Sequence, residues 1–303
     1  MTSSNNLLIA VFGATGQQGG SVIRALGAHG GFRVRAITRD GAKAEGLADE
    51  VVEADLSKSE TLAAAVDGAH GVFLVTNFWA GTDIDELAQG EAVVKAAKIA
   101  GVKHFIWSTL PNIEQISGGM FDVPHFTGKA KVDDVVAAAD FDHYTFVEPP
   151  FYFQNLVGQL APQPGNDGTS TWNLPMDPDA KVIHMGDIEQ LGTVVLGAFA
   201  NPDRAGRGQH LALSGGLYSW SDVVATLRAQ GHRVAFNRVP DEAFDGFYGA
   251  REIREMFKYF EAHTYFGPDA DEKIALARAV ATQTPKSLSA WAKENMLVGK
   301  QPQ

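Results

Sequence analysis

The stretch "LLIAVFGATGQQGGSVIRALGAHG", from Leu7 to Gly30, places an apolar run, glycines at Gly13, Gly16 and Gly19, and a helical pattern in direct succession. Leu7 to Phe12 has the length and β-branched content of a buried strand, and Val22, Ile23 and Leu26 recur at helical spacing. The glycines therefore fall on a strand-to-helix turn. There the first helical N–H groups lack partners and the helix dipole adds partial positive charge, so a pyrophosphate settles if no side chain intrudes. Gly13 allows the tight turn, Gly16 the close approach of phosphate, and Gly19 close packing of helix on strand. Thr15, Gln17 and Gln18, between and beside these glycines, join them as expected dinucleotide contacts. A flexible loop would need only the glycines; the flanking strand and helix favour dinucleotide binding.

Composition fits such a reading. With 303 residues, 45% hydrophobic and 20% charged, the chain can bury one large core or two coupled ones. No segment approaches the roughly 20 apolar residues of a membrane span, and Met1 to Asn6 is too polar and short for a signal peptide, so a cytoplasmic location and no membrane partner are expected. Cysteine is absent, which excludes disulfides, cysteine metal sites and a thiol switch. The nine histidines show no paired metal-ligand spacing, so no metal is expected. A net charge of −11 without a Lys/Arg run argues against direct nucleic-acid contact. No G-x-S-x-G turn occurs, which argues against a hydrolase.

Further along, strand patterns at Val34 to Thr38, Val51 to Ala54, Gly71 to Thr76, His104 to Ser108 and Tyr144 to Val147 alternate with helical ones around Ser59 to Val66, Glu86 to Ala100 and Lys129 to Ala139. Such alternation specifies an α/β fold, a Rossmann-type doubly wound parallel sheet, here with a second, smaller α+β lobe. The expected organisation is a dinucleotide-binding domain over residues 1–150, to which 183–214 return, and a smaller lobe from 151–182 and 215–303. Asp187 is expected to cap a helix running to about Ala200; Gln209 to Ser214 reads as a strand, Trp220 to Gln230 as a helix and Glu242 to Phe260 as one amphipathic helix. Ligands of this fold bind at the carboxyl ends of the strands, so the residues after each strand carry the function.

Arg39 follows the second strand, twenty residues after Gly19, where an NAD enzyme usually carries an acidic residue for the ribose 2′-hydroxyl. A guanidinium there suits a 2′-phosphate, so NADP(H) is favoured over NAD(H). Arg39 as a solvated charge beside Asp40 is the alternative. Lys43, one turn on, either adds charge to the same phosphate or is solvated.

"GATGQQGGSV" resembles the NmrA-like family, within the atypical short-chain dehydrogenase/reductases that carry G-x-x-G-x-x-G, and the resemblance covers most of the chain. It implies that Asp55 accepts from the adenine amino group while Leu56 packs on the ring, although Asp55 equally suits capping a helix near Ser59. It puts Thr76 and Asn77 near ribose and pyrophosphate, with Phe78 and Trp79 as pocket walls; "VTNFW" is similar to the segment of NmrA-like redox sensors. Ser108 and Thr109 stand where the superfamily keeps its catalytic hydroxyl, or are ordinary strand-end hydroxyls. Where typical members carry Tyr-x-x-x-Lys, this chain reads His125-Phe126-Thr127-Gly128-Lys129, keeping the lysine and losing the tyrosine. Lys129 is then a holder of the nicotinamide ribose and, with His125, a candidate proton-handling group. Phe151, Tyr152 and Phe153, the aromatic run after Pro149-Pro150, line a pocket beside the nicotinamide or join the two lobes' cores, with Phe151 the expected cofactor contact. Glu148 replaces the basic or neutral residue usual before those prolines. The function so implied is an NADP(H)-binding protein that senses the NADPH/NADP ratio and regulates a protein partner. The alternative is an NADPH-dependent reductase of a small aromatic, quinone-like or enone acceptor; a homodimer is among the possible assemblies.

Overall fold

The computed structural model describes residues 6–81, 84–246 and 249–296. Six strands open the chain: β1 (Leu7–Phe12), β2 (Phe32–Thr38), β3 (Glu50–Glu53), β4 (Gly71–Leu74), β5 (His104–Ser108) and β6 (His143–Glu148). Short strands follow: β7 (Phe151–Tyr152), β8 (Gln163–Pro164), β9 (Ser170–Leu174), β10 (Ile183–Gly186), β11 (Arg207–Ala212), β12 (Gly216–Tyr218) and β13 (Val234–Arg238). The large sheet is parallel throughout, in the order β11-β6-β5-β4-β1-β2-β3. Its topological switch point lies between β1 and β4, which makes the sheet Rossmann-type.

Both faces of this sheet are covered, and β1 shows how the sequence achieves it. Ile9 and Val11 enter one buried cluster with Val22, Leu26, Leu191 and Val195. Ala10 and Phe12 enter the opposite one with Val72, Leu74, Trp107 and Val132. With side chains alternating between faces, a strand buried on both sides reads as an unbroken apolar run. A third cluster, built on Phe126, Phe151, Trp172, Trp220 and Phe257, lies away from the sheet's centre. There β7, β10 and β12 form one three-stranded sheet, and β8, β9 and β13 another.

The helix Leu191–Ala200 ties distant segments together. A Cβ on Gly192 would lie 2.1 Å from the Ser21 carbonyl oxygen in helix Gln17–His29. One on Gly197 would lie 1.9 Å from that of Val280, the last residue of helix Ala270–Val280. Backbones this close leave no room for side chains between them.

Two expected helices differ in extent. The one containing Lys129 begins at Pro124, because proline at the first helical turn loses no bonded N–H. The single helix expected over Glu242 to Phe260 is two pieces, Asp241–Phe244 and Ala250–His263, with Gly249 at φ 82° capping the second. Asp187 caps a 3-10 turn, Ile188–Gln190, through a bond from the Glu189 N–H, and the α-helix starts after it.

Candidate functional site

At the glycine turn Gly13 has φ 66°, and a Cβ on it would come within 2.7 Å of Val75 Cγ1. Gly19 packs hard on the turn: its Cβ would sit 2.2 Å from the Gly13 carbonyl oxygen. Gly16 is different. Its φ of −88° and ψ of 171° suit any residue, and a Cβ there would meet one neighbour, the Gly13 carbonyl oxygen at 3.3 Å, so glycine eases the turn and leaves its outer side open. The Gly16 N–H donates to the Gly13 carbonyl at 2.9 Å, and the helix Gln17–His29 begins with no side-chain cap and no acidic residue in its first turn. Thr15, Gly16 and Gln17 are exposed, leaving a positive helix end open to an anion.

On the β2/β3 side the strand ends carry separate charges, Arg39 and Lys43 exposed and Asp55 half-buried. Arg39 makes no hydrogen bond or ion pair among the described residues, while Lys43 Nζ lies 3.4 Å from Asp40 Oδ2. Asp55 accepts from the Ser57 N–H at 3.0 Å and the Ser57 hydroxyl at 2.8 Å. These bonds, helped by Lys58 and Arg39, hold its carboxyl below the usual range. The helix-capping alternative for Asp55 gives way to this local turn: Lys58 precedes the Ser59–Thr61 turn, without a side-chain cap. Leu56 packs, partly buried, against the cluster on that face.

Beyond β4 the site is buried and interlocked. The Lys129 ammonium donates to the Thr76 carbonyl at 2.9 Å, the Thr76 hydroxyl at 2.9 Å and Glu86 Oε1 at 2.6 Å. The Thr76 hydroxyl in turn donates to Glu86 Oε1 at 2.5 Å. Lys129 is 8% exposed and Glu86 4%. Burial pulls the Lys129 pKa down while Glu86 opposes the shift. An ammonium has three protons, and all three are engaged. Glu86 Oε2, buried, has no partner among the described residues. Glu86 was not among the sequence-derived candidates; its only signal was its place at the start of an Asp85-capped helix.

Asn77 Oδ1 accepts from the Trp79 N–H at 3.1 Å and shapes the turn that presents Phe78 and Trp79. Those rings meet edge to face at 5.0 Å, and Trp79 lies 5.3 Å from the His125 ring. Glu252 Oε1 accepts from the His125 backbone N–H at 2.8 Å and lies 2.5 Å from Nδ1. A cleft of about 390 Å³ opens here, lined by Phe78, Trp79, Asp122, Pro124, Arg251 and Glu252 among others.

A third group joins the glycine turn to β5 and β7. The Ser108 hydroxyl donates to Gln18 Oε1 at 2.6 Å, and Gln18 Nε2 donates to the Tyr152 oxygen at 2.8 Å. Phe151 points the other way, buried at 5% exposure and edge to face with Trp220 at 6.3 Å. Of the aromatic run Phe151 to Phe153, the sequence singled out Phe151, but alternation along the strand sends Tyr152 to the Gln18 side. Thr109 is fully buried. Glu148 is buried too, 2.8 Å from His210 Nδ1 and 3.0 Å from Lys273 Nζ, and these partners outweigh burial to hold its carboxyl below the usual range.

Residues 5–292 match the model of the NmrA-like family. FrzB of Cladobotryum sp, an NmrA-like family domain-containing oxidoreductase, is 31% identical over 315 residues, covering 92% of this chain and 93% of that one. Among solved structures, the negative transcriptional regulator NmrA in complex with NADP is similar at TM-score 0.78 and 27% identity, over 96% of this chain and 95% of the other. NmrA in complex with NAD is similar at TM-score 0.79 and 27% identity, with the same coverage. No helix among the described residues is long and apolar enough to cross a membrane.

Proposed function

The chain belongs to the NmrA-like family, and on that premise we propose that it binds a nicotinamide dinucleotide across the switch point, prefers NADP(H), and reports it to a protein partner. The cradle fits the group: Gly16 keeps space at an uncapped helix end, and Arg39 stands free at the end of β2 for a 2′-phosphate. Thr15, Gln17, Gln18 and Gly19 would hold the pyrophosphate, with Asp55 and Leu56 on the adenine side. Thr76, Asn77, Phe78, Ser108 and Lys129 would stand on the nicotinamide side. A bound nicotinamide supplies hydride chemistry.

What carries the sensing reading is Lys129. Its three donors close on Thr76 and Glu86, and the position four residues earlier holds His125, itself gripped by Glu252. A lysine so engaged orients its surroundings and has no proton directed at a substrate. The reductase reading rests on a different observation: the His125 and Glu252 pair borders an open cleft walled by Phe78 and Trp79, where an aromatic acceptor would fit.

The deciding experiment follows NADPH absorbance with a panel of quinones, enals and benzylic ethers, alongside calorimetric NADPH binding. Binding without turnover is expected. Steady NADPH oxidation that His125→Phe or Lys129→Met stops, with cofactor still bound, would overturn the sensing reading.

A further inference from the structure

The polarity of the Ser108, Gln18 and Tyr152 chain has a direction. Ser108 spends its proton on Gln18 Oε1, and Gln18 spends an amide proton on the Tyr152 oxygen. Tyr152's oxygen is thereby an acceptor toward Gln18, so its own O–H must point elsewhere, and it finds no acceptor among the described residues. Each bond in such a chain polarises the next, which makes the terminal O–H a better donor.

The location narrows what that donor meets. In this strand order the dinucleotide straddles the switch point, with the adenine half over β1 to β3 and the nicotinamide half over β4 to β6. Ser108 ends β5, Tyr152 follows β6, and Gln18 stands in the first turn of the helix behind the glycines. All three lie on the nicotinamide side. We infer that Tyr152 is a specificity residue donating a hydrogen bond to the carbonyl oxygen of the nicotinamide carboxamide, its hydroxyl aimed by Gln18 and Ser108. This rests on the dinucleotide-binding reading and adds to it the group that reads the ring end. Burial pushes the Tyr152 phenol up to about 12, so it keeps its proton throughout the physiological range and acts as a donor.

Two ligands isolate the claim: NADP, and 2′-phospho-ADP-ribose, which has the same phosphates and adenine but no nicotinamide. Tyr152→Phe preserves the ring's packing and removes only the hydroxyl. By calorimetric titration it should weaken NADP about three- to tenfold, the worth of one hydrogen bond, and leave 2′-phospho-ADP-ribose within about twofold. Gln18→Glu tests the direction of the chain. A carboxylate accepts from both hydroxyls and turns the Tyr152 proton inward, so the ratio of the two affinities should fall as in Tyr152→Phe although the phenol remains. For this variant the ratio is taken with NADPH in place of NADP, since its ring is uncharged and keeps the carboxamide, so that repulsion between the new charge and the shared phosphates cancels and no ring charge enters. Equal losses for both ligands in Tyr152→Phe, or no loss for either, overturn the inference while the dinucleotide reading stands. A wild-type chain that binds neither ligand overturns the dinucleotide reading, and this inference with it.

Discussion

Either side of the switch point, the strand ends are furnished in opposite ways. Toward β3 stand a free, exposed Arg39, an exposed Lys43 with Asp40, and a half-buried Asp55 held by Ser57, their side chains bonding no residue more than three positions away in sequence among the described residues. Toward β6 stand Lys129 with Thr76 and Glu86, and Gln18 with Ser108 and Tyr152, largely withdrawn from water and joined across long stretches of chain. The first side offers charge in a solvent that screens it, so each group contributes little until a phosphate arrives. The second is already assembled, and removing one member strands its partners away from water. One half of the candidate site offers charge, the other preset geometry.

The sharpest test of that contrast starts at the turn both halves share. Gly19→Val should leave no stable fold, since the new Cβ would lie 2.2 Å from the Gly13 carbonyl oxygen. Gly16→Val should fold at some cost in stability, because its backbone is ordinary and its Cβ would crowd only the Gly13 carbonyl oxygen at 3.3 Å, yet lose NADP binding. Thermal unfolding and calorimetry separate the two, and undiminished affinity in a folded Gly16→Val would remove the turn from the binding site.

On the buried side, Lys129→Met strands the Glu86 carboxylate, and should cost about 3 to 5 kcal/mol in denaturant unfolding. Adding Glu86→Leu should recover most of that loss. Wild-type stability for Lys129→Met alone would show that the pair is not an interlocked unit.

A smaller change is expected on the exposed side. Arg39→Ala should leave stability nearly untouched and weaken NADP about 10- to 100-fold while NAD changes little. Added salt should narrow the difference between wild type and variant. Equal losses for NADP and NAD would show that Arg39 does not read the 2′-phosphate.

This division also marks what the sequence made legible. The large sheet could be read because β1, β4 and β5 are local, fully or almost fully buried runs and the others alternate with helical patterns, and the residue just after a strand is located as soon as the strand is. Arg39, Thr76 and Ser108 were placed at or just past the ends of their strands that way. Glu86, Glu252 and Tyr152 were not, because their meaning lies in partners 43, 127 and 134 residues away. Hydrophobic periodicity marks a buried charge such as Glu86 as an error in the pattern, not as half of a pair. The Phe151 to Phe153 run showed that aromatics belonged near the site, but which of them faced Gln18 depended on β7 pairing with β10, more than 30 residues on. The two-piece helix over residues 241–263 escaped for a related reason. Its apolar spacing runs on through the break, and Gly249 fits against Trp79, 3.0 Å from where a Cβ would be, a contact that only the folded chain reveals.

The clasp around helix Leu191–Ala200 bears on the order in which a ribosome can finish this protein. The first six strands emerge by residue 148, but the cluster carrying Ile9, Val11, Val22 and Leu26 is completed by later residues, beginning with Ile188, Leu191, Val194 and Val195. That helix is in turn gripped from behind by Val280. The nascent chain therefore carries that face without its covering helix while residues 149–190 are still being translated. For that interval it is a natural client for chaperones, and slowing translation between these two points prolongs its exposure to aggregation.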